Sequence, residues 1–141
     1  MNTNLQTVQA IYQAFGRRDF TAILEHVSPQ VRWQHWADNS AQKAGVPYMQ
    51  ERQGHDGVLA FYKLLGDTVH VNSLRVLNFA AGDTIVVAQL AVDWTVKANG
   101  NALVDQIIHL WTFDEAGKVV GYQNFLDTAK HARALGLALP G

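Results

Sequence analysis

The sequence predicts one α+β domain, in which a cone-shaped, curved antiparallel sheet is wrapped by N-terminal helices around an apolar pocket. Apolar residues recur with helical spacing in the first part of the chain, and they alternate with the two-residue period of strands from Val69 onward. Turn signals divide that second part into a meander. Because 141 residues is the usual size of one domain, we expect residues 1–141 to fold as a single unit.

Two helices are predicted at the N-terminus. The first ends at Gly16, and its apolar residues follow one another at steps of three and four: Leu5, Val8, Ile11, Tyr12 and Phe15. Asp19 can cap a second, shorter helix. This helix ends before Pro29, because the residue that precedes a proline disfavours helical geometry.

A first strand, a long arm and a third helix are predicted next. Val31, Trp33 and His35 alternate with their neighbours, which predicts a half-buried strand with these three side chains facing inward. Residues 37–54 are rich in polar side chains and are predicted to form an arm, and loops of this length are usually functional or disordered. Residues 55–66 have the pattern of a third helix.

The remaining chain is predicted to form strands, and Asn99-Gly100 is the strongest hairpin signal in it. Counting outward from a two-residue turn there gives the pairs that share one face: Val96 with Leu103, Trp94 with Asp105, Val92 with Ile107, Leu90 with His109 and Ala88 with Trp111.

A further turn at residues 114–117 adds a last strand to this face, with Tyr122 opposite His109 and Asn124 opposite Ile107. A slip of one residue would instead place Gln123 and Phe125 on it.

The face defined by these pairs is apolar except for four residues: Asp105, His109, Tyr122 and Asn124. We expect the helices to cover this face, because it is the only adequate partner for their apolar sides. A polar group in an apolar setting costs a few kcal/mol unless it is hydrogen-bonded. The cluster therefore requires either mutual hydrogen bonds or a ligand, and it is the main functional signal of the sequence.

The opposite face of the sheet mixes polar residues with apolar ones: Val104, Ile108, Leu110, Val119 and Phe125. Such a mixed patch is typical of a protein interface, so we expect a homodimer through the outer sheet face. The alternative is that a short C-terminal helix, predicted after Asp127, covers this face. Lys130, His131 and Arg133 of that helix are predicted to be exposed.

The composition excludes several classes of partner. Eleven basic and twelve acidic residues give a net charge near −1, so we expect neither a nucleic acid nor a membrane partner. The chain contains no cysteine, which excludes disulfides and thiolate metal sites. Because no apolar run is long enough to span a membrane and the N-terminus lacks the features of a signal peptide, we expect a cytoplasmic protein.

The order of these elements resembles the nuclear-transport-factor-2-like superfamily, and within it the SnoaL-like polyketide cyclases and the ketosteroid isomerases. The residues that carry the resemblance lie at positions 15–19, 54–61 and 111–120. The resemblance implies a cystatin-like α+β barrel whose pocket holds a small hydrophobic carbonyl compound. It does not choose among isomerases, cyclases, epoxide hydrolases, dehydratases and non-catalytic binding modules.

The catalytic positions of the isomerases fall on different residue types in this sequence. Their general-base aspartate falls on His35 and their protonated aspartate on His109. Their tyrosine on the first helix falls on Ile11, one step from Tyr12, which is a candidate substitute. The carboxylate of the epoxide hydrolases falls near Asn124, whose amide cannot act as a base.

From these positions we predict an enzyme of the isomerase or cyclase type, in which His35 is the base and His109 with Tyr12 or Tyr122 stabilises an enolate oxygen. The alternative is a non-catalytic binding module of the same fold. The predicted ligand-binding residues are Trp33, Tyr48, Arg52, Phe61, Trp94, Asp105, Trp111, Tyr122 and Asn124. We expect no cofactor, and no metal because the histidines lack ligand spacing.

Overall fold

The computed structural model describes residues 3–140, and four of its five helices precede the meander that begins at Val69, as the sequence predicts. The helices are α1 (Thr3–Gly16), α2 (Phe20–Leu24), α3 (Ser40–Ala44), α4 (Gly54–Thr68) and α5 (Thr128–Ala134). As predicted, the side chain of Asp19 caps α2 by accepting a hydrogen bond from the backbone N–H of Ala22 at 3.2 Å. The predicted third helix is α4, which extends past Gly66 to Thr68.

Six strands form one curved, open sheet in the order β2-β1-β6-β5-β4-β3. They are β1 (Val27–Trp33), β2 (Arg52–Gln53), β3 (Val69–Ala81), β4 (Ile85–Val96), β5 (Ala102–Phe113) and β6 (Val119–Phe125). Neighbouring strands are antiparallel except β1 and β6, which are parallel. Helices α1 and α4 pack against the sheet, which confirms the predicted α+β fold.

The hairpin between β4 and β5 has a different register from the predicted one. Trp94 pairs with Leu103, and the backbone N–H of Gly100 donates to the carbonyl of Val96, so four residues rather than two form the loop. Only Gly100 in this loop has a positive φ, of 75°, whereas the predicted turn requires two such residues. The register differs by two residues, an even number, so every side chain keeps its predicted face.

The side chains of this loop explain its conformation. Asn99 and Asn101 both donate hydrogen bonds to the backbone carbonyl of Ala134, at 2.9 and 3.0 Å. Asn99 also accepts a hydrogen bond from the backbone N–H of Asn101 at 2.9 Å. The loop therefore binds the C-terminal end of α5, and this tertiary contact overrides the local preference of Asn-Gly for a tight turn.

The register of the last strand also differs from the predicted register by two residues. Trp111 pairs with Tyr122 and His109 pairs with Asn124. An irregularity between Thr112 and Phe113 inserts an extra residue into β6 before this pairing begins. Beyond this irregularity the faces are preserved, so Tyr122 and Asn124 lie on the same side as His109. Val119 precedes the irregularity, pairs with Phe113 and is fully buried, so its predicted position on the outer face is wrong.

The first strand ends earlier than predicted. It stops at Trp33, and Gln34 adopts φ 56°, a left-handed conformation that is uncommon for residues other than glycine. This turn interrupts the alternation of the strand, so that Gln34 is fully buried whereas His35 is half-buried. The predicted inward strand position of His35 is therefore wrong.

Residues 37–54 are also more ordered than the predicted arm. Asn39 and Gln42 form reciprocal side-chain hydrogen bonds that cap α3, a 3-10 turn follows at Pro47–Met49, and β2 follows that turn. Apolar residues of the segment are buried: Ala41, Val46, Tyr48 and Met49. The segment is thus a fixed part of the core and not a loose arm.

The C-terminal helix α5 packs on the concave side of the sheet, not on the outer face. Its His131 is fully buried and contacts Tyr48, Trp94 and Asp105, so the predicted exposure of His131 is wrong. Helix α5 consequently does not cover the outer face, where Val104 and Phe125 are 59% and 37% exposed. The homodimer through this face stays a prediction.

That prediction is tested by Val104→Glu. If two copies pack through the outer sheet face, a buried glutamate in the interface weakens dimerisation by at least about tenfold, because an unpaired charge loses its hydration. Sedimentation velocity over a concentration series measures the change. The matched control is Leu59→Glu, which alters an apolar residue on α4 that is 37% exposed and away from the sheet. A monomeric wild-type chain, or equal effects of both substitutions, would show that the prediction is wrong.

Candidate active site

A cavity lies between the concave face of the sheet, α1, α4 and the 3-10 turn. Many predicted site residues line it: Tyr12, Tyr48, Phe61, Trp94, His109, Trp111, Tyr122 and Asn124. Its other wall residues were not predicted as site residues: Ile11, Phe15, Tyr62, Leu65 and Leu74. The cavity volume is about 30 Å³, and the void including its open mouth is about 460 Å³. The cavity therefore has room for on the order of two water molecules.

Tyr12 and His109 form a hydrogen-bonded pair in this wall. The Tyr12 hydroxyl lies 2.7 Å from Nδ1 of His109, and it accepts a hydrogen bond from the indole N–H of Trp111 at 3.0 Å. Burial lowers the pKa of His109 to about 3 and raises the pKa of Tyr12 above its ordinary value. Both groups are thus neutral at neutral pH, so the tyrosine donates its proton to Nδ1.

This hydrogen bond fixes the tautomer of His109. A neutral imidazole whose Nδ1 accepts a hydrogen bond carries its proton on Nε2. Within residues 3–140, Nε2 of His109 has no hydrogen-bond partner, and the side chain, which is 8% exposed, lines the cavity. The Nε2–H group is therefore a neutral donor that is free to bind a ligand oxygen.

Tyr48, His131 and Asp105 form a second, buried chain of hydrogen bonds. The Tyr48 hydroxyl lies 2.6 Å from Nδ1 of His131, and Nε2 of His131 lies 2.9 Å from Oδ2 of Asp105. Burial lowers the pKa of His131, while the hydrogen bond and charge of Asp105 oppose this effect. Burial also raises the pKa of Tyr48. Tyr48 lines the cavity, so the chain joins the cavity wall to a buried carboxylate.

Sequence reasoning missed His131, although a signal for it exists. Thr128, His131, Ala132 and Leu135 are spaced as one face of a helix, and all four are at least partly buried. Lys130 and Arg133 lie on the exposed face of the same helix. The helical period of this short segment therefore places His131 on the inward face.

Asn124 and Trp94 carry polar atoms that no protein group satisfies. In the described part of the chain, Oδ1 of Asn124 and Nε1 of Trp94 are buried without a hydrogen-bond partner, and both side chains line the cavity. An unsatisfied buried polar atom costs about 1–3 kcal/mol. A bound ligand or water with both donor and acceptor groups would remove this cost.

The buried Gln34 positions two of these cavity residues. Its Oε1 accepts a hydrogen bond from the backbone N–H of Asn124 at 3.0 Å, and its Nε2 donates to the backbone carbonyl of Tyr48 at 3.4 Å. Its own carbonyl accepts a hydrogen bond from the side chain of Gln42 at 3.0 Å. Gln34 thus holds β6, the 3-10 turn and α3 together from the site at which His35 was expected.

Four predicted site residues do not line the cavity: Trp33, His35, Arg52 and Asp105. Trp33 is fully buried behind the wall and stacks on Tyr122 at a ring distance of 4.1 Å. Arg52 donates to the backbone carbonyl of Pro47 at 3.1 Å and thereby supports the 3-10 turn. Asp105 accepts a hydrogen bond from His131, and it reaches the cavity only through Tyr48.

A surface groove of about 360 Å³ adjoins the cavity. Phe15, Tyr62 and Leu65 line both the cavity and the adjoining groove. These three side chains therefore form the partition between the cavity and the surface at the ends of α1 and α4.

Two other features are absent from residues 3–140, a cluster of metal ligands and a membrane-spanning helix. No three His, Cys, Asp or Glu side chains of these residues converge as metal ligands. Within the same range, none of the helices has the length and apolar character needed to cross a bilayer.

Comparison with known proteins gives one family match. A family model described as a SnoaL-like domain matches residues 8–122. No curated protein matches the chain. Among solved structures, an NTF2-like protein of unknown function from Burkholderia pseudomallei is 29% identical with a TM-score of 0.77, and the match covers 96% of this chain and 98% of that protein.

Two other solved structures show the same fold at lower identity. An NTF2-like protein from Burkholderia thailandensis is 24% identical with a TM-score of 0.81, over 96% of this chain and 98% of that protein. TerC, which was co-crystallised with polyporic acid, is 20% identical with a TM-score of 0.77, over 96% of this chain and 99% of that protein. These two matches show the predicted fold, and the match of the family model to residues 8–122 confirms the predicted resemblance.

The neutral state of His109 predicts how stability depends on pH. The pKa of His109 is about 3 in the folded chain and 6.5 without burial, so the unfolded chain binds more protons between these values. The free energy of unfolding therefore falls as the pH is lowered below 6.5. Between about pH 7.5 and about pH 5, this one group removes about 2 kcal/mol of stability.

Urea unfolding of the wild-type chain and of His109→Asn at both pH values measures this loss of unfolding free energy. Asparagine can still accept the hydrogen bond from Tyr12 but does not titrate, so the variant loses about 2 kcal/mol less on acidification. His70→Asn, which removes an exposed histidine of β3, is the control and keeps the wild-type loss. Equal losses in wild type and His109→Asn would contradict the neutral buried state of His109.

Proposed function

Because the chain belongs to the SnoaL-like domain family, we propose that its cavity binds a small, largely apolar carbonyl compound and catalyses proton transfer next to the carbonyl group. This is the reaction type of isomerases and polyketide cyclases. The observation that carries the proposal is the unpaired Nε2–H of a neutral His109, held by Tyr12 in an aromatic cavity.

The wall of the cavity suits a flat, apolar ligand. Most of its side chains are aromatic, and their rings contact one another at different angles. The ring centroids of Trp111 and Tyr122 lie 4.7 Å apart with an interplanar angle of 53°, and those of Tyr48 and Trp94 lie 5.6 Å apart with an angle of 88°. Aromatic walls with a few polar groups are typical of sites that bind small molecules and fix their orientation. Asn124 and Trp94 offer the additional unsatisfied polar atoms.

His109 is suited to stabilise negative charge on a ligand oxygen. When a proton leaves the carbon next to a carbonyl group, the charge moves onto the oxygen. A donor that is already oriented in a cavity without bulk water stabilises this charge more than it stabilises the neutral carbonyl group. With a pKa of about 3, His109 supplies a neutral hydrogen bond and does not act as the base.

Ligand entry requires a change at the partition formed by Phe15, Tyr62 and Leu65. The cavity is too small for a ring system, at about 30 Å³, but these side chains also line the groove of about 360 Å³. Rotation of these side chains would join the two spaces. The ligand then lies between α1, α4 and the concave face.

A non-catalytic binding module is the second candidate function, and two observations favour it. None of the residues that line the cavity is an aspartate or glutamate. His35, the predicted base, also lies outside the cavity wall. If the cavity binds its ligand without a proton acceptor, the same hydrogen bonds only orient the ligand.

Binding is tested with 2-tetralone and with tetralin, the hydrocarbon that lacks the carbonyl oxygen. Quenching of tryptophan fluorescence reports occupancy of the cavity, because Trp94 and Trp111 line it. His109→Leu is expected to weaken 2-tetralone binding by about tenfold, since it removes one hydrogen bond, and to leave tetralin binding within about threefold. His109→Gln keeps an N–H donor, so it is expected to restore part of the lost 2-tetralone affinity. Equal effects on the two probes would contradict the assigned role of His109.

Turnover separates the two candidate functions. In deuterated water, an enzyme of the proposed type exchanges the protons next to the carbonyl group of 2-tetralone faster than buffer does, and proton NMR measures the rate. Binding of 2-tetralone without accelerated exchange would favour the binding module.

A further inference from the structure

We infer that Tyr48 is the acid and base of the cavity and that His131 and Asp105 relay its proton; this inference rests on the proposed function. Three observations carry it. Tyr48 lines the cavity, its hydroxyl is hydrogen-bonded to a buried histidine, and that histidine is hydrogen-bonded to a buried carboxylate. Tyr48 is the catalytic residue of this group, whereas His131 and Asp105 are positioning residues that act through it.

The direction of each hydrogen bond follows from the chemistry of the partners. Because a carboxylate has no proton to give, Nε2 of His131 donates to Asp105 at 2.9 Å. Nδ1 of the neutral ring then accepts from the Tyr48 hydroxyl at 2.6 Å. The proton of Tyr48 is therefore committed to His131, and the lone pairs of its oxygen stay free to accept a proton from a ligand.

The far end of the relay is electrostatically suited to support a charged histidine. Asp105 accepts a hydrogen bond from the backbone N–H of Asp127 at 3.1 Å, and Nζ of Lys130 lies 3.7 Å from its other oxygen. Its side chain is only 7% exposed, so its charge acts on His131 with little screening by water. The adjacent carboxylate thus stabilises an imidazolium at His131, and the positive charge of Lys130 partly opposes this effect.

The proton-transfer step balances without any further reactant. The bond between hydrogen and the carbon next to the ligand carbonyl breaks, and its electron pair forms the double bond of an enolate. The ligand proton moves to the Tyr48 oxygen as the tyrosine proton moves to Nδ1 of His131. Tyr48 remains neutral, the imidazolium offsets the enolate, and the enolate oxygen accepts a hydrogen bond from His109. Reversal of these transfers returns the proton to a different carbon or to the original one.

The two buried histidines have different surroundings, and this difference divides the roles between them. His109 has no carboxylate beside it, so burial alone acts on its pKa. At His131, the hydrogen bond and charge of Asp105 oppose the effect of burial. His131 is therefore the better proton acceptor, while His109 remains a neutral donor.

The same hydrogen bonds also attach α5 to the sheet, so the test needs a result that a purely structural role would not give. The first measurement is exchange of 2-tetralone protons in deuterated water by wild type, Tyr48→Phe and the control His26→Asn, which alters a half-buried histidine outside the cavity wall. Tyr48→Phe is expected to lower the exchange rate at least about a hundredfold, the usual contribution of a general acid or base, and to leave the 2-tetralone dissociation constant within about threefold. His26→Asn leaves both values unchanged.

The second measurement is the pH profile of exchange in wild type and Asp105→Asn. The groups that face His131 are Tyr48 from the 3-10 turn, Asp105 from β5, and Asp127 and Lys130 from α5. Exchange falls at low pH as His131 becomes protonated. Asp105 raises the pKa of His131, so Asp105→Asn moves this acid limb to lower pH and also lowers the maximal rate by about tenfold or more.

The outcomes separate this inference from the proposed function. If wild type exchanges 2-tetralone and Tyr48→Phe keeps the rate, the relay is wrong while the proposed function stands. An acid limb that Asp105→Asn does not move also overturns the relay, even if that variant is less stable. If wild type binds 2-tetralone but does not accelerate exchange, both the catalytic function and the relay are wrong. Failure to bind 2-tetralone at all overturns the proposed site.

Discussion

The hydrogen bonds of the buried Gln34 determine the geometry of the cavity. Its left-handed backbone ends β1, and its side chain then joins the backbone of Asn124 on β6 to that of Tyr48 in the 3-10 turn. Each of these partners contributes a side chain to the cavity wall. An amide group can meet this requirement because it donates and accepts hydrogen bonds at once, whereas an apolar residue would leave buried backbone groups unsatisfied.

Two tyrosine–histidine pairs each contribute a tyrosine to the wall of the same cavity, and their surroundings make the pairs chemically different. The pair of Tyr12 and His109 is supported by a neutral donor, the indole of Trp111, so the histidine has no nearby charge. The pair of Tyr48 and His131 is supported by the carboxylate of Asp105. Although no carboxylate lies in the cavity wall, the two histidines behave differently. His109 resists protonation, whereas His131, which lies behind Tyr48, accepts a proton more readily.

The sequence predicts the fold and the faces of the strands better than it predicts the site. Alternation along β4, β5 and β6 assigns His109, Tyr122 and Asn124 to the concave face, and this assignment survives register differences because both are by two residues. The positions of His35 and His131 could not be derived in the same way. The position of His35 depends on a single left-handed residue, Gln34, and that of His131 depends on the docking of a short helix. Neither feature can be read from the alternation of apolar residues along a strand.

The location of α5 has a consequence for how members of this family can diverge. The family pattern spans residues 8–122, so it includes Tyr12, Tyr48 and His109 but ends before α5. The histidine partner of Tyr48 is thus supplied by a segment outside the pattern, which is attached to the sheet by Asn99, Asn101 and Asp105. Two chains that match the pattern equally well can therefore share a cavity and differ in reactivity, because a change confined to one short terminal helix adds or removes a partner of the tyrosine.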